Sequence, residues 1–274
     1  MRLGRLGVNI GTDPVFEPGD ILAVGFNLVR IVLQRHVPLH EYIGRCHLRG
    51  VEVMGVITSS SLEVRDEHGN VVGAMSFEDA ATMYAAEYAG LLDYWEIGNE
   101  TDADPNGPID GSWILPAADC SRLIQAFVSA IKAQRSDAYI TGPGLISGQP
   151  DYVRQLDLSG LTAISIHPYN QTPATAKVLF EHNYKELLDA GFQICITEFG
   201  MADADPGVRG AYLHDMVEQF QQLGYIDMAL WYCWSRIQHS SPFFVVDQDE
   251  NGVVIPTAVS AITLGLGFVQ PVMV

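Results

Sequence analysis

Two glutamates close short apolar runs: Glu100 ends Trp95-Glu96-Ile97-Gly98-Asn99-Glu100, and Glu198 follows Ile194-Cys195-Ile196-Thr197. A carboxylate at the end of a buried run is costly unless it has a partner or a task. Facing each other, two carboxyls supply what cleavage of a glycosidic bond needs. One protonates the departing oxygen, and the other attacks the anomeric carbon or activates water. A separation of roughly 5 Å is expected where the second carboxylate attacks. Asn9, Arg30, Asn99, His167, Tyr169 and Trp234 sit at matching places, each at or just beyond the end of a comparable run. Within such a group Glu198 must stay ionised, a form that Arg30 favours, and Glu100 must hold a proton near neutral pH. Asn99 supplies a neutral amide for a sugar 2-hydroxyl, a contact that strengthens in the transition state.

The elements that must bring these residues together alternate along the chain. Strands are expected at Leu6–Gly11, Leu28–Leu33, Glu52–Thr58, Tyr94–Asn99, Tyr139–Gly142, Ala163–His167, Gln193–Glu198 and Met228–Trp234. Helices are expected near Asp20–Gly25, Leu39–Arg49, Phe77–Gly90, Ala117–Arg135, Tyr152–Leu156, Ala174–Ala190, Val208–Leu223 and Pro256–Leu266. Ser76 with Asp79 reads as an N-cap, and Gly90, Gly191 and Gly224 as helix stops. A βαβα series of eight strands is the pattern of an α/β fold, the (β/α)8 TIM barrel, in one catalytic domain over residues 1–274. An open doubly wound sheet is the alternative, but its first turn lacks the GxGxxG fingerprint. The longest loop, Thr101–Pro116, follows the fourth strand on the rim where barrel active sites form.

The motifs resemble those of glycoside hydrolase clan A. WEIGNE at Trp95–Glu100 and ITEFG at Ile196–Gly200 look like its acid/base and nucleophile motifs, and GFNLVRI at Gly25–Ile31 is similar to the second-strand motif of family 5. The resemblance implies that Glu100 is the acid/base and Glu198 the nucleophile of a retaining enzyme, and that Arg30 hydrogen-bonds the nucleophile. HPY at His167–Tyr169 resembles the sixth-strand motif, whose tyrosine contacts the nucleophile and whose histidine positions the carboxylates. LWYCWS at Leu230–Ser235 resembles the eighth-strand end, with Trp234 as an aromatic floor for the sugar. The third strand departs from family 5, ending GVITSS at Gly55–Ser60 where many members place a histidine. The EIGNE wording also resembles families 39 and 79. The resemblance implies hydrolysis of β-glycosidic bonds in an oligo- or polysaccharide without a cofactor, and few long insertions leave an open cleft suited to endo-action. A barrel that recognises glycans without cleaving them is the competing reading.

Other residues carry two readings. Glu96 shares side-chain parity with Glu100 and is expected lower in the barrel as a partner of Arg30, outside the catalytic set. By alternation Tyr232 and Trp234 point inward, whereas Trp231 and Cys233 face the helices. Trp113 is either a further sugar platform or a hydrophobic cap. The histidines show no metal-ligand spacing, so no metal is expected.

Composition narrows the partners. Hydrophobic residues make up 48% of the 274 and charged residues 18%, enough for a large core. A formal charge of −18 with no Lys/Arg-rich run disfavours nucleic acid and anionic membranes and favours neutral or cationic ligands; the resemblance implies a carbohydrate substrate, and a monomer is expected. The four cysteines read as buried free thiols, with a Cys195–Cys233 bridge as the alternative. No secretory leader is read before the first strand, so either a cytoplasmic protein or a secreted one with its leader removed is expected.

Overall fold

The expected strands form a parallel eight-stranded sheet. The computed structural model describes residues 3–11, 16–104, 113–146, 149–169, 171–203 and 205–233, and the backbone of 246–248 and 254–256. The strands of the sheet are β1 (Arg5–Gly11), β2 (Leu28–Val32), β3 (Glu52–Ile57), β6 (Tyr94–Ile97), β7 (Tyr139–Thr141), β8 (Ala163–Ile166), β9 (Gln193–Phe199) and β10 (Ile226–Trp231). They pair in the order β7-β6-β3-β2-β1-β10-β9-β8. The two ends meet through Thr162 N donating to Ile140 O at 2.7 Å and Ser165 N to Gly142 O at 3.2 Å, so the sheet curls into the (β/α)8 barrel.

Alternation splits the strand residues into two sets. Val8, Val29, Val53, Trp95, Ile140, Ile164, Ile194 and Trp231 face the surrounding helices in the main core. Leu28, Met54, Tyr94, Ala163, Cys195, Met228 and Leu230 form a second cluster, the apolar floor inside the barrel. Further along the strands the inward positions become polar: Leu28 is followed by Arg30, Tyr94 by Glu96, Cys195 by Thr197, and Ala163 by Ser165 and His167. The side-chain period of two therefore stacks a polar layer directly on an apolar one.

Among the helices, α1 spans Pro18–Ala23, α2 His40–Leu48, α3 Phe77–Tyr88, α4 Ala117–Gln134 and α5 Pro150–Val153. In α4, Cys120, Leu123, Ile124, Phe127, Val128 and Ile131 are buried at helical spacing. Asp79 N donates to Ser76 Oγ at 3.1 Å, capping α3 as expected. Gly224 ends α8 (Pro206–Leu223) in the left-handed region at φ 71. The expected helix over Ala174–Ala190 is two, α6 (Pro173–Asn183) and α7 (Lys185–Asp189). The break falls at Tyr184, whose side chain is buried in the core, whereas α7 buries no residue fully. Of the expected last helix, Pro256 ends the strand β12 (Val254–Pro256), which pairs antiparallel with β11 (Val246–Gln248). The rest of that helix lies outside the described residues.

An antiparallel hairpin, β4 (Glu63–Arg65) with β5 (Val71–Ala74), follows β3 and was not expected. Its signal is present in Glu63-Val64-Arg65 and Val71-Val72 flanking His68-Gly69-Asn70. Asp66 holds the turn, accepting from the backbone N–H groups of His68 and Asn70 at 2.9 Å each. All four cysteines are buried and free. Among the described residues no helix is long and apolar enough to cross a membrane.

Candidate active site

Arg30 is the hub of the polar layer. Its Nε donates to Glu96 Oε2, Nη1 to Glu198 Oε1 at 2.5 Å and to Asn9 Oδ1 at 2.8 Å, and Nη2 to Asn99 Oδ1 at 2.7 Å. Arg30 is only 4% exposed, so its planar fork fixes four partners in a medium of low dielectric. Burial alone would weaken its charged form, but Glu96 and Glu198 more than offset this and hold the cation firmly. Asn9 is anchored in turn by its Nδ2 donating to Thr197 O at 3.1 Å and Trp231 O at 3.3 Å.

Glu198 reaches this layer through an irregularity in its strand. By strict alternation Thr197 points inward and Glu198 outward. Pairing with β10 advances from Ile196↔Ala229 to Phe199↔Trp231, so β9 has one more residue than its neighbour there. This bulge turns both Thr197 and Glu198 into the barrel, and returns Phe199 to the helix side, 5.3 Å from the rings of Phe220 and Trp231. The two Glu198 oxygens have separate partners: Arg30 on Oε1, and the Tyr169 hydroxyl donating to Oε2 at 2.5 Å.

Glu100 arrives by a different route. The strand stops at Ile97, short of the expected Asn99, and Gly98 turns left-handed at φ 94. Glu100 itself is left-handed at φ 53, the one such residue other than glycine among those described. A side chain in that region costs about 1–2 kcal/mol, and such outliers concentrate at functional sites. The turn is held by Glu100 N donating to Gly144 O at 2.8 Å. Its parity with Glu96 is thus replaced by this turn, which aims Asn99 and Glu100 into the same cavity.

His167 lies between the carboxylates. Its Nδ1 is 3.1 Å from Glu100 Oε1 and 3.9 Å from Glu198 Oε2, and its Nε2 is 3.0 Å from Thr197 Oγ1. Burial pushes the imidazole toward neutrality, but Glu198, Glu100 and Glu96 outweigh it and raise its pKa to about 10. Glu96 behaves in the mirror sense. Burial favours its protonated form, yet Arg30, His167 and Thr197 hold it down at about 2.

Glu100, His167 and Glu198 bring one donor atom each within 4.8 Å of one another, a spacing compatible with a divalent cation. Arg30 and Tyr169 already engage both oxygens of Glu198, and the adjacent guanidinium repels a cation. The donor set fits an acid and a nucleophile better than a metal.

The structure therefore brings Asn9, Arg30, Asn99, Glu100, His167, Tyr169 and Glu198 to one rim. Trp113 is half-buried; its backbone N–H donates to Asn99 O at 2.9 Å, and its ring packs edge-on against Phe77 at 5.9 Å. Trp234 lies outside the described residues. Trp231 is fully buried on the helix side, as expected. Tyr232 faces the site, with its ring 6.1 Å from that of Tyr169. Burial raises its hydroxyl, and the Glu198 charge adds to this. Glu96 and Thr197 belong to the same polar layer, and the signal that places them there is inward parity with Tyr94 and Cys195.

The Cellulase family model, glycosyl hydrolase family 5, matches residues 21–236. No curated protein matches the chain. Among solved structures, the chain is similar to a GH5-4 broad specificity endoglucanase from Clostridium acetobutylicum, with TM-score 0.69 at 12% identity over 96% of this chain and 99% of that one. A family 5 xyloglucanase from Paenibacillus pabuli gives TM-score 0.66 at 14% identity, over 98% and 99%. A family 39 glycoside hydrolase from Bacteroides cellulosilyticus gives 0.65 at 17% identity, over 96% of this chain and 63% of that one. At these identities the likeness is one of fold.

Proposed function

The chain belongs to glycosyl hydrolase family 5 and is a glycoside hydrolase, and we propose that it cleaves β-glycosidic bonds of an oligo- or polysaccharide by double displacement, with retention and from within the chain. The observation that carries this reading is the approach of Glu100 and Glu198, with a donor oxygen of each within 4.8 Å of the other. A pair that must leave room for a water opposite the sugar stands roughly 6.5–9.5 Å apart.

Glu198 is the nucleophile. Arg30 and Tyr169 hold both its oxygens, which fixes its line of attack. One oxygen bonds to the anomeric carbon as the bond to the aglycone breaks, and the proton of Glu100 passes to the departing oxygen. Water then enters the vacated side. Glu100 takes its proton, its oxygen bonds to the anomeric carbon, and the Glu198 ester is released. Arg30 orients the Asn99 amide through Oδ1, which supports a role in holding the sugar 2-hydroxyl. Asn9 supports Arg30 from below. Tyr232, Trp113 and Trp234 are proposed as aromatic surfaces for the sugar chain.

Turnover of aryl β-glycosides and of a polysaccharide panel including β-glucan and xyloglucan tests the reading. The expected result is release of oligosaccharides, with loss of polysaccharide turnover in Glu100→Gln and of all turnover in Glu198→Ala. Binding without any hydrolysis would instead favour a glycan-recognition barrel, and full activity in either variant would overturn the residue roles.

A further inference from the structure

Glu96 and Thr197 are linked to the Glu100 carboxyl by a continuous hydrogen-bonded chain. Thr197 Oγ1 donates to Glu96 Oε1 at 2.6 Å. Its only hydrogen is thereby committed, so toward His167 Nε2, at 3.0 Å, it acts as an acceptor and Nε2 must carry a hydrogen. That fixes the ring: Nδ1 is the nitrogen left to face Glu100 Oε1 at 3.1 Å. All four groups are buried, and Glu96, Thr197 and His167 have no exposed surface.

We propose that Glu96 and Thr197 are positioning residues for the acid/base, orienting His167 so that one proton is held between its Nδ1 and Glu100 Oε1. This rests on Glu100 being the acid/base. Charge counting supports it: Arg30 balances one of the carboxylates Glu96 and Glu198, and adding an ionised Glu100 beside a neutral His167 would leave two net negative charges buried together. With one shared proton the His167–Glu100 pair is neutral overall, whether the proton sits on nitrogen or oxygen. The pair then titrates as a unit. Proton donation from Glu100 to the leaving oxygen leaves Nδ1 facing a carboxylate, and the water deprotonated in the second step returns the proton to the pair.

The groups facing His167 are Glu96 at 3.7 Å and Glu100 from the strand-six side, Glu198 at 3.9 Å and Thr197 from β9, and Tyr169 from its own segment. Of these, Glu96 is the carboxylate fixed on the far side of the ring from the substrate. Replacing it by glutamine removes a negative charge that holds the shared proton. The proton is then lost at lower pH, by about one pH unit or more.

The test uses the whole protein labelled with 15N-histidine, the His167 signals being assigned by their loss in His167→Asn. The expected spectrum has Nε2 protonated throughout, and a titration that moves down by about one pH unit or more in Glu96→Gln. The alkaline limb of kcat/KM moves down with it. A structural role alone would lower activity without moving either limb. Thr197→Val should lower kcat by about ten- to a hundredfold, the worth of one hydrogen bond to a charged group, with Thr197→Ser restoring it. This pair carries the test if Glu96→Gln does not fold. A His167 titration unchanged in both Glu96→Gln and Thr197→Val, or a bare Nε2 in the native protein, overturns the relay. The spectra need no substrate, so an enzyme without turnover refutes the glycosidase reading and leaves the relay to be judged separately.

Discussion

A donor oxygen of Glu100 stands within 4.8 Å of one on Glu198 across the barrel mouth, although the two residues reach it by unrelated backbone devices. The spacing predicts retention. Proton NMR of the first-formed sugar should show the β-anomer, followed by slow mutarotation. An α-anomer as first product would require a water between the carboxyls and contradict the assignment.

The two carboxyls should fail differently. Glu100→Gln should lower kcat on unactivated glycosides by about 10²–10⁴-fold, the usual worth of a positioned proton donor. Aryl glycosides with good leaving groups, which need no protonation, should lose far less in the bond-breaking step. Glu198→Ala should lose both classes alike. Circular dichroism should show an unchanged fold in each variant, and an equal loss on all substrates in Glu100→Gln would remove it from the acid role.

Arg30 donates directly to both Glu96 and Glu198 in the described polar layer. Arg30→Met leaves two buried carboxylates uncompensated and should cost about 3–5 kcal/mol in urea denaturation. Lysine cannot reproduce a fork with four partners, so Arg30→Lys should also be destabilised and slow. Wild-type stability in Arg30→Met would mean that the layer is held by something other than this hub.

Stability should depend on pH at both ends. Glu96 is depressed from 4.5 to about 2, so its contribution is complete above about pH 4.5 and fades as pH falls toward 2. His167 is raised from 6.5 to about 10, so its contribution is complete below about pH 6.5 and fades as pH rises toward 10. Denaturant titrations across this range should show a maximum near pH 4.5–6.5. In Glu96→Gln the acid arm should flatten, and an unchanged arm would assign acid sensitivity to other groups.

Gly144 gives a steric test of the same region. It is left-handed at φ 64, and an added Cβ would stand 3.2 Å from Glu96 Oε1 and from His167 Cε1 and Nε2. Gly144→Ala should therefore cost about 1–2 kcal/mol from the backbone alone and shift His167. Thermal denaturation reads the first effect and kcat the second. Retention of both at wild-type levels would show that His167 tolerates displacement.

The strand series and most of the rim were legible because a period of two writes itself directly into the sequence: Leu28 then Arg30, Tyr94 then Glu96, Cys195 then Thr197. What that period cannot encode is its own interruption. The bulge that turns Thr197 and Glu198 inward together depends on pairing with β10, a contact between segments. The left-handed turn at Gly98–Glu100 likewise depends on Gly144, far along the chain. Glu96 is readable as a partner of Arg30, but its link to His167 runs through Thr197, a contact between β6, β8 and β9 that only the fold brings together. The hairpin β4–β5 was legible in its Val-rich arms and His68-Gly69-Asn70 turn; it lies on an exposed surface, where burial patterns give little signal.

The most direct measurement is covalent trapping. A 2-deoxy-2-fluoro β-glycoside slows both steps by withdrawing charge from the oxocarbenium-like transition state, and a good leaving group lets the first step proceed. Intact mass spectrometry followed by peptide mapping should find one sugar per chain, esterified to Glu198, and no adduct in Glu198→Ala. A label on another residue, or turnover of the parent glycoside with no adduct and an inverted product, would contradict the assignment of Glu198 as nucleophile.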